Sequence, residues 1–498
     1  MSKNGALSYL MTKDKVTIPT LTKEKEFGEY TLYIGDHTPF YCVENKTSAC
    51  AILGFAVNLL SEEEINIANE VIENCRSVDD LVDYEQHLGG KYILIYRCGE
   101  QYFMMGDATC SIPIFYSKED SLICSSSTRY IAKLHGFSPD DELSLIRASG
   151  DISQAMPYDV TPYRQIKQLI PNHYLDMNRQ TSIRFTNTNV KQKELSVKEA
   201  TEISLPLIEK LLAFYLRNFN VYCPITSGRD SRVVLSFLMK SKANFTCYTI
   251  RHPEHNNNAQ DIVIPIQLCK KENIPHRLIE DSIVPEGVKS AVDEALGSDC
   301  YSSKTLRIAY TINEYFGDGA VINGDIIGQV GKCSLHRDIP TVFASPSYFL
   351  CKLHNYSKGA KTLLKKWLAE IKESGEQINT FDLFSIENRM GCWAGQENLI
   401  YNTLGQMYLN IFNSRSIIYV WTAVAREKRK KSLLHSELIE HTYKDLLGIP
   451  FEKDESIVIK FSKSTGMIYL ISSYLKFYFE KMQFEKGKRN EKTDNNRG

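Results

Sequence analysis

The residues best equipped for chemistry stand together at Thr226-Ser227-Gly228-Arg229-Asp230-Ser231. The apolar run Val221–Ile225 ahead of them reads as a strand, and an apolar-periodic helix follows from about Ser231. On an open parallel sheet, ligands bind at the carboxyl ends of strands. A helix N-terminus placed there presents free N–H groups and the positive end of its dipole, which suits a phosphate. The small residues at 226–228 let an anion approach the backbone. Asp230 would repel a phosphate directly, so its place in such a loop implies a Mg²⁺ ion between the two. The competing reading is a plain strand-to-helix turn with Asp230 or Ser231 as its N-cap.

The elements around this turn alternate. A helix spans Lys198–Tyr215, then come strand, turn and helix (Ser231–Lys240), a strand (Phe245–Ile250), a helix (Ala259–Glu272) and a short strand near His276–Ile279. Such alternation predicts a parallel α/β sheet. Past Lys332 the chain reads as mainly helical. Before residue 187 it reads as β-rich: Tyr30–Ile34, Cys50–Val57, Lys91–Tyr96, Tyr102–Met105, Ile112–Tyr116 and Ser121–Ser125 have strand character, and short strands close the region over Thr161–Phe185. Two helices, Ser61–Asn74 and Ser77–Leu88, interrupt it, the second ending at Gly89-Gly90 in the manner of a C-cap. The boundary falls near Asn187–Lys198, giving units at 20–187 and 195–480 and a disordered tail over 481–498.

Composition bounds the rest. Two or three domains suit 498 residues. A net charge of −1 with interspersed acids and bases points to neither nucleic acid nor membrane as partner. Thirteen singly scattered cysteines, none at metal-ligand spacing, suit reduced thiols in a cytoplasmic protein. No apolar signal region follows Lys3, and the apolar stretches Ala49–Leu60 and Ser416–Ala425 are too short to span a bilayer.

The loop resembles that of the asparagine-synthetase family, Ser-Gly-Gly-x-Asp-Ser, with Thr226 and Ser227 as small replacements and Gly228, Asp230 and Ser231 matching. Asp261 opening a helix, followed by Ile274-Pro275-His276, looks like the family's next segment. Leu88-Gly89-Gly90, Gly106-Asp107, Pro113-Ile114-Phe115-Tyr116 and Pro171-Asn172-His173-Tyr174-Leu175 look like its glutaminase domain. The resemblance covers most of residues 30–450. It implies an N-terminal-nucleophile type αββα sandwich, followed by a pyrophosphate-loop (adenine nucleotide α-hydrolase-like) α/β domain with a helical C-terminal part. It also implies that Thr226, Ser227, Gly228, Asp230, Ser231, Ile250 and Gly324 bind ATP, with Ile250 near the adenine, and that Asp230 and Asp325 hold Mg²⁺.

Two departures qualify this. The family's glutaminase uses a cysteine exposed after Met removal, whose own amine is the base. Here Ser2 follows Met1, the first cysteine is Cys42, and Ser2–Thr20 reads as an untethered polar leader. This domain is therefore expected not to hydrolyse glutamine, unless cleavage exposes Cys42. The second acidic motif is also altered: in Asn323-Gly324-Asp325-Ile326-Ile327-Gly328-Gln329, Gly328 and Gln329 occupy the Asp-Glu positions, and Asp325 compensates in part. One lost carboxylate removes about 4 kcal/mol of pairwise attraction at ~4 Å and an effective dielectric of ~20, before desolvation.

Other candidates are plainer. Glu387-Asn388-Arg389 reads as a structural ion pair and Arg426–Lys431 as a solvated helix face. His173 and His276 read as satisfied structural residues. Asn413-Ser414-Arg415 resembles a family element that shapes the acceptor pocket. Lys460 is the candidate for the late catalytic lysine of amine-coupling members, with Lys453 and Lys463 competing and a solvated surface lysine as the plainer reading of each. The resemblance thus implies an ATP-dependent ligase. It would adenylate a small-molecule or peptide carboxylate and couple it to an amine or ammonia, in specialised-metabolite, peptide or surface-polymer biosynthesis. The alternatives are a nucleotide-binding scaffold without turnover and another adenylating enzyme of this loop type, such as a tRNA-modifying one. The last lacks a basic stripe or zinc cluster to support it. Self-association as a homodimer stays open.

Overall fold

The computed structural model describes residues 7–451, apart from 62–65, 118–120, 141–155, 187–192, 253–258, 298–300, 318, 334–340 and 354–357, together with 471, 474–479 and 481–482. Lys453, Lys460, Lys463 and the tail beyond residue 482 lie outside the described residues.

The first half is a two-sheet sandwich. One antiparallel sheet has the order β10 (Ile166–Leu169), β8 (Ile114–Ser117), β9 (Cys124–Ser125), β1 (Tyr9–Thr12), β3 (Tyr30–Ile34), β2 (Lys23–Phe27). The other runs β12 (Thr181–Arg184), β11 (His173–Asp176), β7 (Gln101–Gly106), β6 (Leu88–Cys98), β5 (Ser48–Asn58), β4 (Phe40–Glu44). The alternation of strand side chains decides the layering. Tyr9, Met11, Leu32 and Ile34 meet Ala51, Leu53, Ile93 and Ile95 between the sheets. Cys50, Ile52, Leu94 and Tyr96 face outward onto Ala68 and Val71 of helix α1 (Ile67–Asn74). On the opposite outer face Leu10, Tyr33 and Phe115 pack with Ile131 of α3 (Thr128–His135). The result is an αββα arrangement.

Two expectations fail here. The segment expected to be a polar leader contains β1, whose residues are fully buried between β3 and β9. Its Tyr9, Leu10 and Met11 outweigh the lysines that follow. Gly89-Gly90 do not cap a helix either. Helix α2 (Val78–Glu85) ends at Gln86, and both glycines belong to β6. Gly90 has φ +134°, and a Cβ there would lie 2.1 Å from the Phe55 carbonyl oxygen, so the close β5–β6 approach demands glycine.

The second half carries a five-stranded parallel sheet in the order β15 (His276–Glu280), β14 (Phe245–Arg251), β13 (Val221–Pro224), β16 (Ala320–Ile322), β17 (Met407–Leu409). Its central strands β13 and β16 are mainly apolar, as a covered parallel sheet requires, whereas the edge strand β15 buries only Ile279. Val221, Cys223, Cys247 and Ile322 pack beneath α4 (Val197–Asn218), α5 (Arg229–Ser241) and Leu434 and Leu438 of the later helix Leu433–Tyr443. Tyr248, Ile279 and Val321 pack on the other side under α7 (Glu286–Leu296), α8 (Ser303–Phe316) and helix Gly395–Thr403. Helix α6 (Gln260–Lys271) links β14 to β15. Beyond β16 the chain is mainly helical, built around Trp367, Phe349, Phe381 and Phe384, with π-helical turns at Ile327–Gly331 and Ser385–Ala394. Among the described residues no helix is long and apolar enough to cross a membrane.

Buried polar contacts join the halves. Arg415 ion-pairs with Glu85 of α2, and its Nη1 donates to Asn172 (2.8 Å). Glu387 is paired with Arg184 (2.7 Å) and takes hydrogen bonds from Asn172 and the Trp367 indole. Thus Glu387 is a structural ion-pair residue, with its partner across the interface. Arg429 corrects the solvated-face reading of Arg426–Lys431: it is fully buried and forks onto Asp382 (2.6 Å). His173 and His276 are satisfied as expected, by Pro171 and Glu370 and by Thr249.

Candidate functional site

Strand order creates a crevice. β14 and β15 lie to one side of β13, and β16 and β17 to the other, so the chain reverses its winding between β13 and β16. In open α/β sheets ligands bind at the carboxyl ends of strands beside such a switch point. The segments leaving β13 and β16 there are Ile225–Ser231 and Asn323–Gly331.

Helix α5 begins at Arg229, two residues ahead of the sequence expectation, with Gly228 as N-cap and no side-chain cap. Neither Asp230 nor Ser231 is the cap, which corrects the plain-turn reading. The first-turn N–H groups therefore lack the side-chain partner such helix starts usually have. The loop is braced from within and without. Ser231 Oγ accepts from Thr226 N (3.2 Å), and Thr226 Oγ1 accepts from Gly228 N (3.2 Å). Asp261 of α6 accepts from Ser227 N (3.0 Å) and from its hydroxyl (2.5 Å). The buried Arg232 reaches the carbonyls of Ile449 and Pro450, each at 2.6 Å, and of Ser227 at 3.4 Å.

Asp230 lies against the β16 loop. A Cβ on Gly324 would meet the Asp230 carbonyl oxygen at 2.9 Å, and one on Gly328 would meet its carboxylate at 2.7 Å. At Gly324 it is backbone that comes close, which favours glycine; at Gly328 it is the Asp230 side chain, which a methyl group would push aside. Gly324 thus contacts Asp230. Its carboxylate also accepts from Nε2 of the buried His435 at 2.8 Å. Burial opposes ionisation of Asp230, but the His435 hydrogen bond and the charges of His435, Lys332 and Arg229 outweigh it and hold the carboxyl below its ordinary range. Asp325 behaves oppositely. Burial and repulsion from Asp230 push it up to about 6, against the Tyr408 hydroxyl that donates to it (3.3 Å) and the Arg389 charge. The two carboxylates feel one another across the crevice. Among the described residues Gln329 Oε1 is a buried acceptor without a partner. Among the described residues no third His, Cys, Asp or Glu joins the two carboxylates in a metal-holding group. One or two carboxylates suit Mg²⁺ when phosphates and water complete its shell, so in donor type the residues present fit that ion.

Ile250 is half-buried near the end of β14 and packs against the sheet's second core. His435, Asp261 and Arg232 were not identified as site residues from the sequence. His435 lies 205 residues from Asp230, with no motif to mark it.

The Gly106-Asp107 motif braces its own turn. Asp107 accepts from the backbone N–H groups of Tyr92, Thr109 and Ser111. Cys42 sits inside edge strand β4, so cleavage before it would delete half of one sheet. Asn413 joins the halves, donating to the Gly90 carbonyl (2.6 Å) and accepting from Thr109 (3.1 Å).

No protein-family model and no curated protein matches the chain. Solved structures similar to it include NMN synthetase from Francisella tularensis (13% identity, 42% of this chain and 94% of that one, TM-score 0.20). The allosteric regulatory enzyme of purine biosynthesis is another (10%, 62% and 72%, 0.24). A third is the U34-tRNA thiolase NcsA from Methanococcus maripaludis (13%, 56% and 99%, 0.20). Likeness at these TM-scores says nothing about chemistry, which rests on the residues.

Proposed function

We propose that the crevice between β13 and β16 binds Mg²⁺–ATP and that the protein is an ATP-dependent amide-forming ligase. The observation that carries this is the contact of Asp230 with Gly324 and Gly328 at a topological switch point, with Asp325 within its electrostatic reach, beside a helix N-terminus with no side-chain cap. The α5 N–H groups and Thr226–Ser231 receive the phosphates. Asp230 and Asp325 would hold Mg²⁺, which supplies neutralisation of phosphate charge. Ile250, at the end of β14, faces the base. A substrate carboxylate attacks the α-phosphorus, its C–O–P bond forming as the bond to pyrophosphate breaks; an amine then displaces AMP from the acyl carbon, giving the amide and AMP. The protein's part is positioning and charge stabilisation. Because the sandwich is expected not to hydrolyse glutamine, the nitrogen source in this reading is ammonia or an amine of the substrate. Lys460 remains the proposed late lysine.

One observation favours a second reading, nucleotide binding without turnover: His435 already engages Asp230, and Gly328 and Gln329 stand where carboxylates would. Calorimetry with Mg²⁺–ATP and carboxylate-dependent ATP–pyrophosphate exchange separate the two. Binding with exchange supports the ligase; binding without exchange for any carboxylate supports the scaffold; no binding removes both. Asp230→Ala is expected to weaken Mg²⁺–ATP binding tenfold or more, about 1.4 kcal/mol.

A further inference from the structure

The sandwich sends a charged side chain into the other half. Lys91 leaves β6 and is 2% exposed. Its Nζ donates to Asn398 Oδ1 (3.3 Å), Asn402 Oδ1 (3.2 Å) and the Tyr408 carbonyl (3.2 Å). These three acceptors saturate an ammonium group. Burial pushes the Lys91 amine down to about 7, against the favourable charge of Asp107, so the contacts stand in place of lost water. The three acceptors lie on helix Gly395–Thr403 and strand β17, whose Tyr401 and Tyr408 rings stack at 4.2 Å. The Tyr408 hydroxyl, at the far end of that stack, donates to Asp325. Lys91 and Asp325 also line the same cavity of about 20 Å³, between the halves, with Asn410 and Asn413.

We propose that Lys91 is a positioning residue for the nucleotide site: it pins Tyr408 so that the hydroxyl holds Asp325, and the sandwich is thereby an obligatory part of the metal side of the crevice. This rests on the reading of Asp325 as a Mg²⁺ ligand. Removing the amine frees the β17 carbonyl and the two asparagines, and Asp325 loses its fixed orientation. The phosphate loop at 226–231 is braced by Asp261 and Arg232, independently of Lys91.

The test is calorimetry on the full chain with ATP, with and without Mg²⁺, for wild type, Lys91→Met, Tyr408→Phe and the double variant. The expected result is a tenfold or greater loss of Mg²⁺–ATP affinity in Lys91→Met and metal-free ATP affinity within twofold of wild type. Little further loss is expected when Lys91→Met is added to Tyr408→Phe. Unchanged Mg²⁺–ATP affinity in folded Lys91→Met, an equal fall with and without metal, or full additivity with Tyr408→Phe overturns the proposal. If Lys91→Met does not fold, Asn402→Ala, which removes one acceptor, must show the same split between the two affinities, and its absence overturns the proposal equally. Wild-type protein that binds ATP in neither condition fails the nucleotide reading itself, and this inference with it. Wild type that binds ATP equally with and without Mg²⁺ leaves nucleotide binding intact and overturns the metal role of Asp325.

Discussion

Asp230 and Asp325 are the same residue type in one crevice, yet their surroundings drive them apart. Asp230 has a hydrogen-bond donor in His435 and cations in Arg229 and Lys332, whereas Asp325 has a weaker donor in Tyr408 and a negative neighbour in Asp230. A pair so divided can share a divalent cation without both charges standing unpaired in the apo protein. The consequence for stability has a definite sign. Asp325 ionises near pH 4 when unfolded and at about 6 when folded, so the folded state binds the extra proton between those values. Stability therefore falls as pH rises through that window and stays lowered above it. Asp325→Asn is expected to be more stable than wild type at pH 7 by on the order of 2 kcal/mol, with the advantage vanishing toward pH 4. Urea denaturation at the two pH values, with chelator present, checks this. An Asn variant less stable than wild type at pH 7 would contradict it.

At the scale of elements, the crevice exists because two strand-ending segments approach within contact distance, and glycine is what allows it. At Gly328 a methyl group would lie 2.7 Å from the Asp230 carboxylate, and Ile327–Gly331 is a π-helical turn whose shape leaves little slack. Gly328→Ala is expected to displace Asp230 from His435, to weaken ATP binding, and to destabilise the fold by about 1–3 kcal/mol, as overpacking does. Calorimetry and denaturation curves measure both effects, and unaltered ATP affinity would show that Asp230 is not held where this geometry puts it. The brace from Asp261 to Ser227 works in the other direction. It ties the loop to the start of α6, so the phosphate loop is held by the element that follows the next strand as well as by its own helix.

For the whole molecule, the two halves share a buried ionic network rather than a purely apolar seam. Glu85, Arg415, Asn172, Glu387 and Arg184 are all buried or nearly so, and each bonds to a partner on the other side or to a residue that does. Breaking one member of a buried pair strands the other. Arg415→Met is expected to destabilise by about 3–5 kcal/mol, and Glu85→Leu combined with it to recover part of that loss. Because the network spans both halves, wild type is expected to unfold in one transition and Arg415→Met in two. Denaturation followed by tryptophan fluorescence, which reports the second half alone because Trp367, Trp393 and Trp421 all lie there, and by far-UV circular dichroism, which reports both halves, distinguishes these outcomes. A single unaltered transition in the variant would show that the apolar contacts alone couple the halves.

Local pattern sufficed for much of this. The helix Val197–Asn218, the strand–turn–helix around Gly228, the β14–α6–β15 succession and most sandwich strands were legible because their periodicity is set by neighbours in the chain. Thr226–Ser231 and Asp325 stood out in the sequence as short motifs, with a chemical rationale for the nucleotide and metal roles proposed above. β1 was hidden, since its four residues are too short a run to stand out beside three lysines. β16 and β17 were hidden too, at three residues each. Tertiary structure alone brought His435 to Asp230, Asp261 to Ser227 and Lys91 to Tyr408, across separations of 205, 34 and 317 residues. A side chain's partner at such range is chosen by how the layers pack, and no spacing rule along the chain reports it. By itself the sequence determined which loop could hold a phosphate; packing decided which residues hold that loop, and that the sandwich takes part.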